Sequence, residues 1–300
     1  MKALRLELAF VMVWSSGYVV GALATEVAAP LAVTLWRFLV GAAVLALIAV
    51  RRGDRWPRGR ELWQVAALGV PMFAVQFGSF YQAMAEGLPA GTTALIACSA
   101  PVVVAAIGAL GGWERLSLGR WVGVALGLLA VAVTLADRVS RPPSAGTLLW
   151  ALAGLAGLVA GTVLQPRVRT TAGPGAFAAV QLAAATVVLA IWAPLAGPLS
   201  IPLTAHALGS FAWLALVTGV GAPLLLFALI RTRGATGATI LLFPVPAVTA
   251  LVSWPVLGTP VSVGAIVGLA LAAASLWLVR RRAAVRPSVP RPVEMDPARG

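Results

Sequence analysis

Charged residues are scarce in this chain of 300 residues, of which 10% are charged and 60% are hydrophobic. Soluble proteins carry about 25% charged residues, so this composition excludes an ordinary soluble domain. Only nine residues are acidic, and none lies near the middle of a long apolar run. A proton relay that passes through a carboxylate deep in a bilayer is therefore disfavoured.

Histidine and cysteine each occur once. Cys98 has no second cysteine with which to form an internal disulfide bond, and His206 is predicted to lie in a solvated loop. The sequence offers no paired carboxylates, no nucleophile with a neighbouring base and no His/Glu cluster. We therefore predict no catalytic residue, no metal site and no cofactor, which disfavours an enzyme.

Long apolar runs are what the sequence does contain, and a helix needs about 20 apolar residues to cross the hydrocarbon core. The apolar residues surround each predicted helix rather than forming one stripe, which argues against soluble amphipathic helices. We predict an all-α integral membrane protein with ten transmembrane helices. Their predicted ranges are 6–24, 29–50, 63–85, 90–112, 118–136, 145–164, 174–195, 208–230, 236–257 and 261–280.

The basic residues predict the orientation of these helices. With the amino terminus placed in the cytoplasm, nineteen of the 22 basic residues fall on the inner side, and only Arg138 and Arg141 fall outside. Such a bias indicates a multi-pass protein of the cytoplasmic membrane with both termini in the cytoplasm. The net charge of +13 is thereby explained by topology, and no soluble basic domain remains to bind nucleic acid.

The two halves of the chain resemble each other. A shift of 145 positions places residues 83–126 on 228–271, so that Pro101 falls on Pro246 and Gly123 on Gly268. Two copies with five spans each must have opposite orientations in the membrane. We predict one five-helix repeat over 1–137, a second and inverted repeat over 138–282, and a disordered, Pro/Arg-rich cytoplasmic tail over 283–300.

Three local features carry a family resemblance. Trp36-Arg37-Phe38 lies in span two, Trp113-Glu114-Arg115-Leu116-Ser117 follows span four, and span five begins Gly119-Arg120-Trp121-Val122-Gly123. Together with the ten-span layout, they resemble the EamA family of the drug/metabolite transporter superfamily over residues 6–280. One departure is Gly258-Thr259-Pro260, which stands where many members repeat the glutamate turn.

The resemblance implies ten helices in two inverted halves. It also implies that spans one, three, four, six, eight and nine surround a central cavity, with spans two, five, seven and ten outside. For function, it implies export of small metabolites, such as amino-acid-like or amphipathic solutes.

Two prolines are predicted at the same depth near the bilayer midplane, Pro101 in span four and Pro246 in span nine. A proline inside a helix frees a backbone carbonyl, which in a bilayer must face protein or a water-filled cavity. Broken helices at matching positions of two repeats indicate a transporter site. The alternative is that the prolines only kink the helices for packing.

Further candidate substrate-binding residues lie at similar depth or close to it. An amide is costly in hydrocarbon without a partner, so Gln76 is predicted to face the protein interior. Trp14 is deep for a tryptophan, and it is equally well interpreted as an aromatic wall or as a packed core residue. The full predicted set is Trp14, Ser15, Tyr18, Gln76, Ser79, Ser99, Pro101, Phe243, Pro246 and Thr249.

Two charged residues are assigned structural roles. Arg37 is the one charged residue well inside a predicted span, and we expect it to fix span two to span one, although an ionisable group in a membrane is also a functional candidate. Glu114 precedes span five, where an acid near a helix amino terminus is stabilised by the helix dipole. We expect Glu114 to support the start of that span.

Taken together, these features favour a membrane transporter that works by alternating access around a central cavity. The expected partners are a small-molecule substrate and the lipid bilayer, with no obligatory protein partner. A membrane scaffold or sensor without transport activity is the remaining alternative, and a membrane-embedded enzyme is disfavoured.

Overall fold

The computed structural model describes residues 2–111, 118–136, 143–225, 228–229, 241–242 and 244–281, and these residues form apolar helices joined by short turns. Seven helices are long and apolar enough to cross a membrane, and α5, α9 and α10 contribute three shorter apolar stretches. The helices are α1 Lys2–Val27, α2 Pro30–Arg52, α3 Arg60–Ala85, α4 Ala90–Leu110, α5 Leu118–Ala136, α6 Ala145–Leu164, α7 Pro174–Ala196, α8 Ala205–Leu225, α9 Val245–Leu257 and α10 Val263–Arg281. The protein is therefore an all-α integral membrane protein, as the sequence predicts.

Local capping explains several helix ends. Pro30 begins α2, where its missing N–H costs nothing, and Gly53 ends α2 in a left-handed conformation at φ 66°. Ser144 accepts a hydrogen bond from the Thr147 N–H at 3.0 Å and so caps α6. At the start of α7, a carboxylate oxygen of Asp54 accepts the Gly175 N–H at 2.8 Å, which ties the turn after α2 to α7.

Helix packing relates the two halves of the chain. α2 packs on α7, α4 on α9, and α5 on α10, and each of these pairs joins one helix to its counterpart in the other half. α3 packs on α6 as α8 packs on α1, which is the same relation with the halves exchanged. Equivalent helices of the two halves therefore have equivalent packing partners. The α5–α10 pair makes few contacts with other helices.

Two helices contain π-helical stretches, Val70–Val75 in α3 and Trp213–Gly221 in α8. A shift of 145 positions carries the first stretch into the second, so the two halves depart from α-helical winding at equivalent positions. Pro71 lies in the first stretch and Pro223 follows the second. A proline has no N–H and crowds the preceding turn, and the wider π turn accommodates both effects.

Pro223 does not end α8, which continues through it to Leu225. The preceding π-helical stretch accommodates the missing hydrogen bond. The helix begins at Ala205, three residues before the predicted start, because Thr204 accepts the Ala207 N–H and caps it.

The described part of α9 begins at Val245, close to the predicted midplane, and a turn at 241–242 and Pro244 precedes it. Much of the predicted first half of span nine, at 236–240 and Phe243, lies outside the described residues. So do Glu114 and the predicted tail at 283–300.

Candidate functional site

The break within α4 and the start of α9 lie together against α1. α4 consists of two pieces, Ala90–Cys98 and Ala100–Leu110, with Ser99 in the turn between them. The Ser15 hydroxyl of α1 donates to the Val245 carbonyl at 3.3 Å, where α9 begins. The Cys98 thiol donates to the Leu242 carbonyl at 3.7 Å. Backbone carbonyls at the start of α9 are thus held by α1 and by the end of the first piece of α4.

Pro101 and Pro246, which align at the shift of 145 positions, have different surroundings. Pro101 lies in the first turn of the second piece of α4 with an exposed ring, and the hydroxyl of Ser99, two residues earlier, donates to the Ile96 carbonyl at 2.6 Å. Pro246 is buried and lines a narrow pocket with Thr92 of α4 and Ser253 of α9. The structure therefore brings Pro246, but not Pro101, into that pocket.

The other predicted residues near α1 and α3 are largely covered by protein. Ser15 and Ser79 are each 1% exposed, while Tyr18 and Gln76 are also buried. Trp14 is half-buried, and its indole ring lies 5.2 Å from the Phe10 ring. All five lie on α1 and α3, two of the helices that the family resemblance assigns to a central cavity.

Gln76 occupies a distinctive position in the backbone. It is the first residue after the π-helical stretch of α3, and Gly157 of α6 lies so close that an added Cβ would be 2.9 Å from the Gln76 nitrogen. The α3–α6 contact therefore depends on glycine at this point. The spacing of Gly154, Gly157 and Gly161 on one face of α6 is the sequence signal of this contact, which the sequence-based site omitted.

Thr249 is fully buried on α9, and its hydroxyl has no hydrogen-bond partner among the described residues. Gln181 of α7 is also buried, and its Nε2 has no hydrogen-bond partner among the residues that the structure describes. A buried polar atom without a partner is costly, so both positions can offer a hydrogen bond to a group that enters the bundle. The sequence-based set includes Thr249 and misses Gln181.

Arg37 is buried in α2 and surrounded by aromatic rings. Its guanidinium donates to the Tyr81 hydroxyl of α3, and that hydroxyl donates to the Gly17 carbonyl of α1 at 3.3 Å. The guanidinium carbon also lies 4.6 Å from the centroid of the Phe77 ring and 5.3 Å from that of Phe38. Arg37 is thus connected to α1 through Tyr81, and among the described residues ring faces stabilise its charge.

The close contact between Tyr81 and α1 depends on a glycine of α1, Gly21. An added Cβ at Gly21 would lie 2.7 Å from the Tyr81 ring. Gly21 thus leaves space on α1 for the ring, and the Gly17 carbonyl, one turn earlier, accepts the hydrogen bond from the hydroxyl. The sequence places Arg37 in a membrane, but nothing in its local pattern identifies Tyr81, which is 44 positions away, as the partner.

α1 meets α3, α4 and α9 at one junction. Within the described ranges, no group of three or more His, Cys, Asp or Glu residues is close enough to hold a metal ion. The side chains here are hydroxyl, amide and aromatic groups, which bind and orient a solute through hydrogen bonds and ring contacts.

Comparisons with known proteins agree with the fold and the layout. The uncharacterized inner membrane transporter YedA of Escherichia coli (strain K12) is 29% identical over 190 residues. This match spans 63% of the present chain and 61% of the relative, which is less than two thirds of the relative's length. YedA from Escherichia coli O157:H7 matches to the same extent.

A solved crystal structure superposes with a TM-score of 0.61 at 17% identity, over 92% of this chain and 95% of that one. This likeness concerns the fold alone. The model of the EamA-like transporter family matches twice, over residues 1–136 and again over 145–281. Because these two matches cover most of the chain, the protein belongs to the EamA-like transporter family.

Proposed function

We propose that this transporter exports small neutral or zwitterionic solutes by alternating access, with a site at the junction of α1, α3, α4 and α9. The observation that supports this proposal is the meeting of the break at Ser99 in α4 with the turn residues before α9 and with the start of α9 at Val245. Helix breaks expose backbone carbonyls and amides that can bind a solute at mid-membrane depth. α4 and α9 belong to different halves, so relative motion of the halves changes the shape of this junction.

The charge distribution supports a solute without net charge. Among the described residues, the positive charge of Arg37 lies well inside a span, and Tyr81 and two phenylalanine rings already engage it. Glu86, at the end of α3, accepts a hydrogen bond from Thr147 at 3.0 Å. Within the part of the chain that the structure describes, a strongly charged solute would meet no unengaged countercharge at mid-depth and would bear its full desolvation cost.

The orientation follows from the distribution of basic residues, which we propose places both termini and Arg58 in the cytoplasm and Ala205 outside. Both positions are exposed. Single cysteines at Arg58 and Ala205, each in a Cys98→Ala background, are expected to react differently with an impermeant thiol reagent on intact cells. Position 205 should be labelled and position 58 labelled only after permeabilisation. Labelling of 58 with protection of 205 would reverse the orientation.

The site itself is tested by Trp14→Ala and Gln76→Ala. Each substitution is expected to lower the rate of solute efflux about tenfold, the effect of losing a contact worth ~1.4 kcal/mol. The amount of protein in the membrane should stay unchanged. The measurement compares, metabolite by metabolite, the medium and the cytoplasm of cells with wild-type protein, with each variant or with none.

The matched control is Leu128→Ala, because Leu128 is 57% exposed on α5, away from the junction. It should transport as wild type does. Normal efflux by both site variants at equal expression would place the site elsewhere, and loss of folded protein would assign the two residues to core packing. Conversion of a compound without its relocation would instead indicate an enzyme.

A further inference from the structure

An apolar groove of about 500 Å³ lies between α4 and α6 and opens at the surface of the helix bundle. Hydrocarbon side chains and alanines line it throughout. Representative lining residues are Val103, Ile107, Leu152, Ala156, Val163 and Leu164. Ile107, Leu152 and Leu164 are exposed, so the groove is accessible from the side of the bundle that faces lipid.

The groove runs lengthwise along α6. From Leu152 to Leu164, the helix rises roughly 18 Å at ~1.5 Å per residue. One leaflet of a bilayer contributes half of a hydrocarbon core of about 30 Å. The length of the groove therefore corresponds to the depth of a single leaflet, which is the space occupied by one acyl chain.

The equivalent face of the other half is filled by protein. The shift of 145 positions relates Leu155 and Val159, which line the groove, to Phe10 and Trp14 of α1. Phe10 is fully buried, and the Trp14 ring packs against it. Aromatic rings thus occupy on α1 the volume that aliphatic side chains leave open on α6.

Basic residues lie at the end of the groove that is marked by Leu164. α6 continues there into the turn Gln165–Arg167, and Arg169 follows two residues later. The side chains of Arg167 and Arg169 are both exposed. Guanidinium groups at the end of an apolar groove of one-leaflet length complement an anionic lipid headgroup.

We propose that the groove between α4 and α6 binds an anionic membrane phospholipid, with one acyl chain along α6 and its phosphate at Arg167 and Arg169. Binding at this place fills volume that the protein leaves open beside a helix of the transport junction. The occupant is a structural lipid and not the transported solute.

The experiment uses the full chain in vesicles with equal amounts of phosphatidylglycerol and phosphatidylcholine. After mild solubilisation, mass spectrometry of the intact complex counts the retained lipids. Wild-type protein should retain phosphatidylglycerol in preference to phosphatidylcholine. Arg167→Gln and Arg169→Gln should each reduce that preference about fivefold, while Ala156→Phe, which fills the groove, should abolish retention of both lipids.

The control for Ala156→Phe is Ala183→Phe, since Ala183 is exposed on α7 and does not line the groove. It should leave retention unchanged. A phosphatidylglycerol with a photoreactive acyl chain tests the wild-type protein directly, and it should crosslink to the peptides that contain Ile107 and Ala156.

Crosslinking elsewhere, equal retention of the two lipids, or unchanged retention in a folded Ala156→Phe protein would overturn the proposal. An Ala156→Phe protein that retains lipid as wild type does but no longer exports solute would also overturn it, because that result would assign the groove to the transported solute. If the wild-type protein retained phosphatidylglycerol preferentially but exported no solute, the proposed function would be refuted and the lipid site would stand.

Discussion

Replacing Gly69 with alanine is expected to prevent most of the protein molecules from folding stably. An added Cβ would lie 2.1 Å from the Gln181 carbonyl oxygen of α7 and 2.7 Å from the adjacent carbonyl carbon. Both atoms belong to a helix backbone, so neither can rotate away as a side chain would. Overpacking costs about 1–3 kcal/mol even where side chains can adjust, and a backbone clash should reach or exceed the upper end of that range.

The substitution should therefore lower the yield of purified protein and its midpoint of thermal unfolding in detergent. Gly209→Ala is the matched control, because Gly209 also lies in a helix and has no atom within 4 Å of an added Cβ. There, alanine should stabilise slightly, since glycine is the poorer helix former by about 1 kcal/mol. Equal midpoints for Gly69→Ala and wild type would show that the α3–α7 contact is looser than described.

The ten apolar helices were predictable because their lengths follow from the thickness of a bilayer. The predicted range 145–164 coincides with α6, where Ser144 caps the first turn. The predicted range 6–24 is shorter than α1, which extends from Lys2 to Val27. Polarity locates where a chain enters lipid, whereas a helix continues into water as long as its hydrogen bonds are made.

The π-helical stretches were not predictable in the same way. Pro71 indicates a disturbance in α3, but the choice between a kink and a wider turn depends on packing. Here α6 approaches through Gly157, whose added Cβ would be 2.6 Å from the Pro71 carbonyl oxygen. That oxygen faces another helix, so its surroundings follow from tertiary structure and not from the residues around Pro71.

The sequence predicts a depth for each candidate site residue but not the direction in which its side chain points. Ser15 was placed near the midplane, and it contacts the start of α9. Pro101 and Pro246 were placed together because they align between repeats, yet one ring is exposed and the other is buried. Alignment fixes a residue's position along its helix, while the direction of its side chain depends on how the broken pieces of α4 turn at Ser99.

Tyr81→Phe is expected to destabilise the protein by about 1.5–3 kcal/mol, the contribution of a hydrogen bond to a charged group. The substitution removes the hydroxyl that accepts from Arg37 and donates to Gly17. It leaves a buried guanidinium with ring contacts alone, and Arg37 Nε already has no hydrogen-bond partner among the described residues. The measurement is the thermal midpoint in detergent beside the rate of efflux.

The double variant Arg37→Met/Tyr81→Phe separates a structural role from a functional one. Removing both polar partners leaves no buried group unsatisfied in this contact, so stability should recover relative to Tyr81→Phe alone. Arg51→Met, on the exposed end of the same helix, should change neither stability nor efflux. If Arg37 only fixes α2 to α1 through Tyr81, the stable double variant transports normally. A stable double variant without efflux would mean that the guanidinium itself binds the solute, and the structural assignment of Arg37 would be wrong.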